Sequence, residues 1–163
     1  MCNVRFRSMT EEEFEVCLAR LREQMFSDAM KTKIGSEVEV KQYVEKDFRD
    51  CLPDGFQTKN NRWLMILDDE ARSIGSIWYS FRGEGDKKTP YLGDFYIAPE
   101  FRRLGFGKQA LSLFEAELKS QGIKNNIAVH IVGDFNNAAI RLFKSSGYCT
   151  SAVLMEKRMA SLS

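Results

Sequence analysis

Arg102-Arg103-Leu104-Gly105-Phe106-Gly107 combines the residue types needed to hold a polyanion. Two cations sit beside two glycines, which let the backbone turn sharply and bring bare N–H groups close to a ligand. Lys108 follows at once and adds a third cation. A strand-like run enters this stretch and an amphipathic helix pattern leaves it. The opening amides of that helix and the positive end of its dipole would converge on one point, so a pyrophosphate would be held there largely by main chain. Taken alone, R-x-x-G-x-G also describes an ordinary tight turn. Residues 105–110 satisfy G-x-G-x-x-A as well, the dinucleotide-binding fingerprint. That motif wants an acidic residue about 20 positions on. The neighbourhood of Asn125 has none, Asp134 lies further away, and too few strands remain to build the required sheet.

The elements that would position these residues can be read from periodicity. Residues 4–9 read as a short strand, after which Thr10 with Glu13 forms a capping box and Phe14, Cys17, Leu18, Leu21 and Met25 make one apolar stripe. The glutamates at 11, 12, 13 and 15 suit the positive end of a helix and also a cationic partner. Ser36 and Glu39 repeat the capping box, and Val40, Tyr43, Val44, Phe48 and Cys51 form a second stripe that ends at Leu52-Pro53-Asp54-Gly55. Residues 62–67 and 73–81 are strands joined by a turn at 68–72, and residues 91–97 are a third central strand. After the glycine-rich loop, Ala110, Leu111, Phe114 and Leu118 bury one face of a helix that stops near Gly122. Residues 127–132 read as a strand, 139–145 as a short helix capped by Gly147, and 148–159 as a strand that closes the sheet. The order β-α-α-β-β-β-α-β-α-β predicts a mixed, mostly antiparallel β-sheet with helices on both faces, an α/β fold in a single domain of residues 1–163.

Upstream of the loop stands Leu92-Gly93-Asp94-Phe95-Tyr96-Ile97-Ala98-Pro99-Glu100-Phe101. About thirty positions downstream comes Asn136-Asn137-Ala138-Ala139-Ile140-Arg141-Leu142-Phe143-Lys144-Ser145-Ser146-Gly147-Tyr148. Together these resemble, in order and spacing, the two signature motifs of the GCN5-related N-acetyltransferase (GNAT) family, and the likeness spans nearly the whole chain. The resemblance implies a GNAT-like sheet, acetyl-CoA as co-substrate, and transfer of the acetyl group to a primary amine. It places Phe95, Tyr96 and Ile97 on the strand whose main chain pairs with the pantetheine arm and points an N–H at the acetyl oxygen. Arg102, Arg103, Leu104, Gly105, Phe106, Gly107 and Lys108 fall on the pyrophosphate loop. Asn136 matches an asparagine that contacts the CoA arm, with a helix cap as its alternative role.

The chain departs from that pattern at Phe143, where many members carry a tyrosine that protonates the departing thiolate. Phenylalanine has no proton to give. A thiol of pKa about 8.5 leaves tolerably well as its anion, and water or a nearby hydroxyl such as Tyr148 could finish the step. For the base that deprotonates the amine there are two candidates. His130, the only histidine, is expected late in the strand before Asn136, and an imidazole suits the task. Asp94, on the strand beside the acetyl site, is the second. Each also has a purely structural reading. A non-catalytic module that senses acyl-CoA is the rival function, and Phe143 is the residue that favours it.

Composition sets the outer limits. One domain of 163 residues can bury a single core, and 24 basic against 23 acidic residues, a formal net charge of +1, give no electrostatic footprint for nucleic acid or an anionic membrane. Cys2, Cys17, Cys51 and Cys149 are scattered, with no zinc-like spacing, and read as mostly buried reduced thiols. No metal site is expected. With no apolar leader after Arg5 and Arg7, the expected location is cytoplasmic. The expected partners are acetyl-CoA and an amine acceptor, with assembly as a homodimer left open.

Overall fold

The computed structural model describes residues 3–32, 34–124 and 126–159, so Cys2 and Asn125 lie outside the described residues. The chain divides into two compact units. One holds Gln57–His130 with the chain up to Cys17, and the other holds Leu18–Phe56 with the chain from Ile131 onward.

The first unit contains a five-stranded sheet in the order β1-β2-β3-β4-β5, formed by Arg5–Ser8, Asn61–Leu67, Ser73–Arg82, Thr89–Ile97 and Ala128–Val129. The first three pairings are antiparallel and the last is parallel. Between β2 and β3 the turn is built by Asp68, whose Oδ1 accepts from the amides of Glu70 (3.0 Å) and Arg72 (2.9 Å) while Oδ2 accepts from Arg72 Nε (2.8 Å). A short carboxylate that bonds to its own following backbone is the ordinary device for such a turn. β3 is buried along most of its length, as a central strand covered on both faces must be.

Helices cover both of those faces. Helix α1 (Glu11–Lys31) begins in this unit, and its Phe14 meets the ring of Trp63 edge to face at 4.9 Å. Trp63 in turn stacks on Trp78 at 4.8 Å. Helix α3 (Phe106–Ser120) sends Phe114 against Tyr79, ring centroids 5.0 Å apart. Trp78 and Tyr79 are neighbours on β3 and so point to opposite faces, which puts the start of α1 and the whole of α3 on opposite sides of the sheet. The capping box of α1 forms as expected. The amide of Glu13 donates to Thr10 Oγ1 (3.2 Å), and the amide of Thr10 donates to Glu13 Oε2 (2.9 Å). Arg7 of β1 clamps the same carboxylate at 2.7 and 3.0 Å and holds its pKa down at about 2.

The second unit holds the rest of α1, helix α2 (Glu37–Cys51) and helix α4 (Asn137–Ser145). Ser36 and Glu39 form the second capping box. Val40, Val44 and Phe48 are buried, but Tyr43 is 61% exposed and does not belong to the stripe. At about 100° per residue, the i, i+4, i+8 series turns Tyr43 away from the buried face. Helix α4 stops in a Schellman motif. The Gly147 amide donates to Lys144 O (3.1 Å), the Tyr148 amide donates to Phe143 O (3.0 Å), and Gly147 takes φ +92°.

Two predicted strands differ from the structure. β5 is two residues long rather than six: its ladder with β4 starts at Tyr91↔Ala128, next to Pro90, which has no N–H to offer, and stops at Leu92↔Val129, where the bulge at Gly93 begins. Residues 148–159 form no strand. Val153, Leu154 and Met155 are consecutive and 76–88% exposed, and Glu156-Lys157-Arg158 follow, so neither face of a strand here would be uniformly apolar. Among the thiols, Cys17 and Cys51 are half-buried and Cys149 is exposed, so burial is less complete than expected.

Candidate functional site

In the first unit the site begins where β4 changes face. Trp78 pairs with Asp94 and Tyr79 with Leu92, leaving Gly93 as the extra residue of a β-bulge. Glycine is required here because a Cβ would lie 2.7 Å from the Trp78 ring. The bulge sorts the second half of the strand. Asp94 and Tyr96 fall on the face of Trp78, and Phe95 and Ile97 fall on the face of Ile77 and α3. The parallel ladder with β5 has already ended at Leu92, so residues 94–97 continue beyond the reach of β5. Gly75, opposite Ile97, allows β3 and β4 to approach closely, since a Cβ there would overlap the carbonyl oxygen of Tyr96.

From Ile97 the chain passes through a 3₁₀ turn, Pro99–Phe101, into the glycine-rich loop. Arg102 Nε donates back to the carbonyl of Ile97 at 2.7 Å, and its guanidinium lies 5.5 Å from the Tyr96 ring centroid. Arg103 adopts φ +62° and Gly105 φ +87°, two left-handed residues that curl the loop. Helix α3 then starts at Phe106 with Gly105 as N-cap and no side-chain cap, so the amides of Phe106, Gly107 and Lys108 open the helix without an intrahelical acceptor. Arg102, Arg103 and Lys108 are exposed around this end, and no acidic residue occupies its first turn. Leu104 is 62% exposed, whereas Phe106 is buried with its ring 6.1 Å from that of Phe101, so only its main chain faces the loop. A cleft of about 680 Å³ flanks α3, lined by Asn3, Val4, Gly105, Lys108, Gln109, Ser112 and Leu113.

His130 is exposed and stands one residue past β5, not within it. Register puts it just beyond the Leu92↔Val129 pair, level with the bulge that precedes Asp94. Both base candidates thus flank the point where β4 and β5 part.

In the second unit, Asn136 is the N-cap residue of α4, but its side chain does not cap the helix. Its Nδ2 donates instead to the carbonyl of Val132. Phe143 is buried at 5% exposure, and the Tyr148 ring packs on it at 5.1 Å, the apolar contact that accompanies a Schellman turn. The Tyr148 hydroxyl oxygen is shielded from solvent. α1 and α2 begin with side-chain capping boxes, while α3 and α4, the helices of the two motifs, do not. The bulge at Gly93 and the fold-back of Arg102 were not anticipated from sequence. The only available signal was a glycine inside an otherwise strand-like run.

Among the described residues no cluster of three or more His, Cys, Asp or Glu side chains could hold a metal ion, and no helix is long and apolar enough to cross a membrane.

The sequence profile of the Acetyltransferase (GNAT) family matches residues 22–148. The chain is 23% identical over 151 residues to the uncharacterised N-acetyltransferase YycN of Bacillus subtilis, covering 93% of this chain and 96% of that one. It is 22% identical to YdgE of the same organism, with 93% and 95% covered. The YycN crystal structure superposes with a TM-score of 0.88 over 98% of this chain and 100% of that one, at 22% identity. The aminoglycoside N-acetyltransferase AAC(6')-Iy, solved in complex with CoA, superposes with a TM-score of 0.56 over 98% and 96% at 14% identity.

Proposed function

Because the chain belongs to the acetyltransferase (GNAT) family, we propose that it transfers the acetyl group of acetyl-CoA to a primary amine of an acceptor, by direct attack in a ternary complex. One observation carries this reading: β4 parts from β5 after Leu92 and leads straight into a helix start with three cations and no side-chain cap. An extended acyl-pantetheine arm pairs with strand backbone, and a pyrophosphate suits unpartnered helix amides. Main chain of Phe95, Tyr96 and Ile97 holds the arm, with one N–H directed at the acetyl oxygen as charge develops there. Backbone amides at 103–108, with the charges of Arg103 and Lys108, hold the pyrophosphate. Arg102 stabilises the loop from behind, and Asn136 contacts the arm.

The amine nitrogen attacks the acetyl carbonyl carbon, and the tetrahedral intermediate collapses with breakage of the C–S bond. The amine proton passes to His130, directly or through one water, with Asp94 as the alternative base. The CoA sulfur leaves as thiolate. Phe143 cannot protonate it, and water or a nearby hydroxyl such as that of Tyr148, whose ring packs on Phe143, completes the step. A screen of acetyl-CoA against polyamines, aminoglycosides and peptide N-termini tests the proposal. Release of CoA thiol with matching acetylation of at least one amine supports it. Binding of CoA without turnover of any amine supports the second reading, an acyl-CoA sensor, which Phe143 favours.

A further inference from the structure

The turn that carries Asn136 is built from four interactions, one of which comes from a helix distant in sequence. Asn136 sits at φ −76°, ψ 52°, with the Asn137 amide donating to Phe135 O at 2.8 Å, an inverse γ-turn. The Asn136 side chain closes the loop onto the carbonyl of Val132. The Phe135 ring folds back over Gly133, which takes φ +70° and has no room for a Cβ beneath that ring. From α1, Lys31 Nζ lies 5.2 Å from the Phe135 ring centroid, a cation–π contact on the residue next to Asn136.

Lys31 is exposed but held in place. Its Nζ is held at 3.1 Å by Asp28 Oδ1, one helical turn earlier, and Asp28 is buried at 8% exposure. A buried carboxylate is retained at a helix surface when it is paired and hydrogen-bonded. Its partner here points the ammonium at Phe135.

We propose that Lys31, anchored by Asp28, is a positioning residue for acetyl-CoA. By clamping Phe135 it fixes the turn at 132–137 and so presents Asn136 to the CoA arm. This rests on the reading that Asn136 contacts that arm. It assigns a task in donor binding to the last turn of α1, which carries none of the signature motifs.

The test uses Lys31→Met, which keeps the aliphatic stem and removes the charge, Lys31→Arg, which restores it, and Asn136→Ala. Hydrogen exchange of the peptide covering 132–140 is followed in the ligand-free protein, and CoA affinity by calorimetric titration. Lys31→Met should speed exchange in that peptide and weaken CoA binding by about 3- to 5-fold, with Tm little changed, and Lys31→Arg should recover both. In the Asn136→Ala background, Lys31→Met should cause no further loss of affinity. Wild-type exchange in Lys31→Met, a loss that Arg does not recover, or additive losses would overturn the proposal. If Asn136→Ala leaves CoA affinity unchanged, the assignment of Asn136 falls, while the exchange data still decide the clamp: faster exchange supports it and wild-type exchange overturns it.

Discussion

Arg102 stands in the glycine-rich loop, yet its guanidinium turns back to bond Ile97 O at 2.7 Å and cover Tyr96. A charge aimed at a phosphate could be replaced by lysine, but a planar group that bridges a carbonyl and a ring could not. Arg102→Lys and Arg102→Ala should therefore weaken CoA binding alike, by about 10-fold, the scale of one charge-assisted hydrogen bond. Recovery of affinity in the lysine variant alone would assign Arg102 to the phosphate directly. His130, exposed at the parting of β4 and β5, is predicted to act on the acceptor and not the donor. His130→Gln should cut turnover about 10²-fold with CoA affinity intact. Near-normal turnover would pass the base role to Asp94.

At the scale of elements, close backbone contact matters more than side-chain chemistry. A methyl group at Gly75 would overlap the Tyr96 carbonyl oxygen, on the strand proposed to hold the acyl arm. Gly75→Ala should lower stability by about 1–3 kcal/mol and, in the fraction that folds, weaken CoA binding more than stability alone explains, since the strand must shift. Unchanged affinity would detach β4 from the donor site. The start of α1 gives a pH prediction. Glu13 has its pKa lowered from 4.5 to about 2, first by the hydrogen bond from Arg7 and then by the Thr10 amide. A depressed carboxylate adds stability above its unfolded pKa and loses it as pH falls through the folded one. The urea-unfolding gap between wild type and Glu13→Gln should thus be constant above about pH 5 and close between 4.5 and 2; a gap that widens on acidification would contradict this.

Both capping boxes and the Gly147 stop were legible because each is written within a few consecutive residues. The bulge at Gly93 was not, since it depends on a Trp78 ring from the neighbouring strand. The same non-local cause shortened β5, and it moved His130 out of the strand in which periodicity had placed it. Residues 148–159 looked strand-like by composition, but composition cannot supply a ladder partner.

For the molecule as a whole, the family and fold follow from the match over residues 22–148 and from the YycN superposition. In the proposed donor site of the first unit, main chain does most of the holding. On the proposed reading the strand and the loop offer main-chain groups, as does the start of α3, which carries no side-chain cap. The most direct test fills the place where the proposal sets the pyrophosphate against backbone. Gly107 is the second residue of α3, where valine is compatible with a helix and, because helical side chains lean toward the N-terminus, adds bulk on the loop side. Calorimetric titration of CoA into Gly107→Val, with far-ultraviolet circular dichroism to show an intact fold, should give at least a 10-fold loss of affinity. Wild-type affinity in a folded Gly107→Val protein would contradict a main-chain cradle at this helix start.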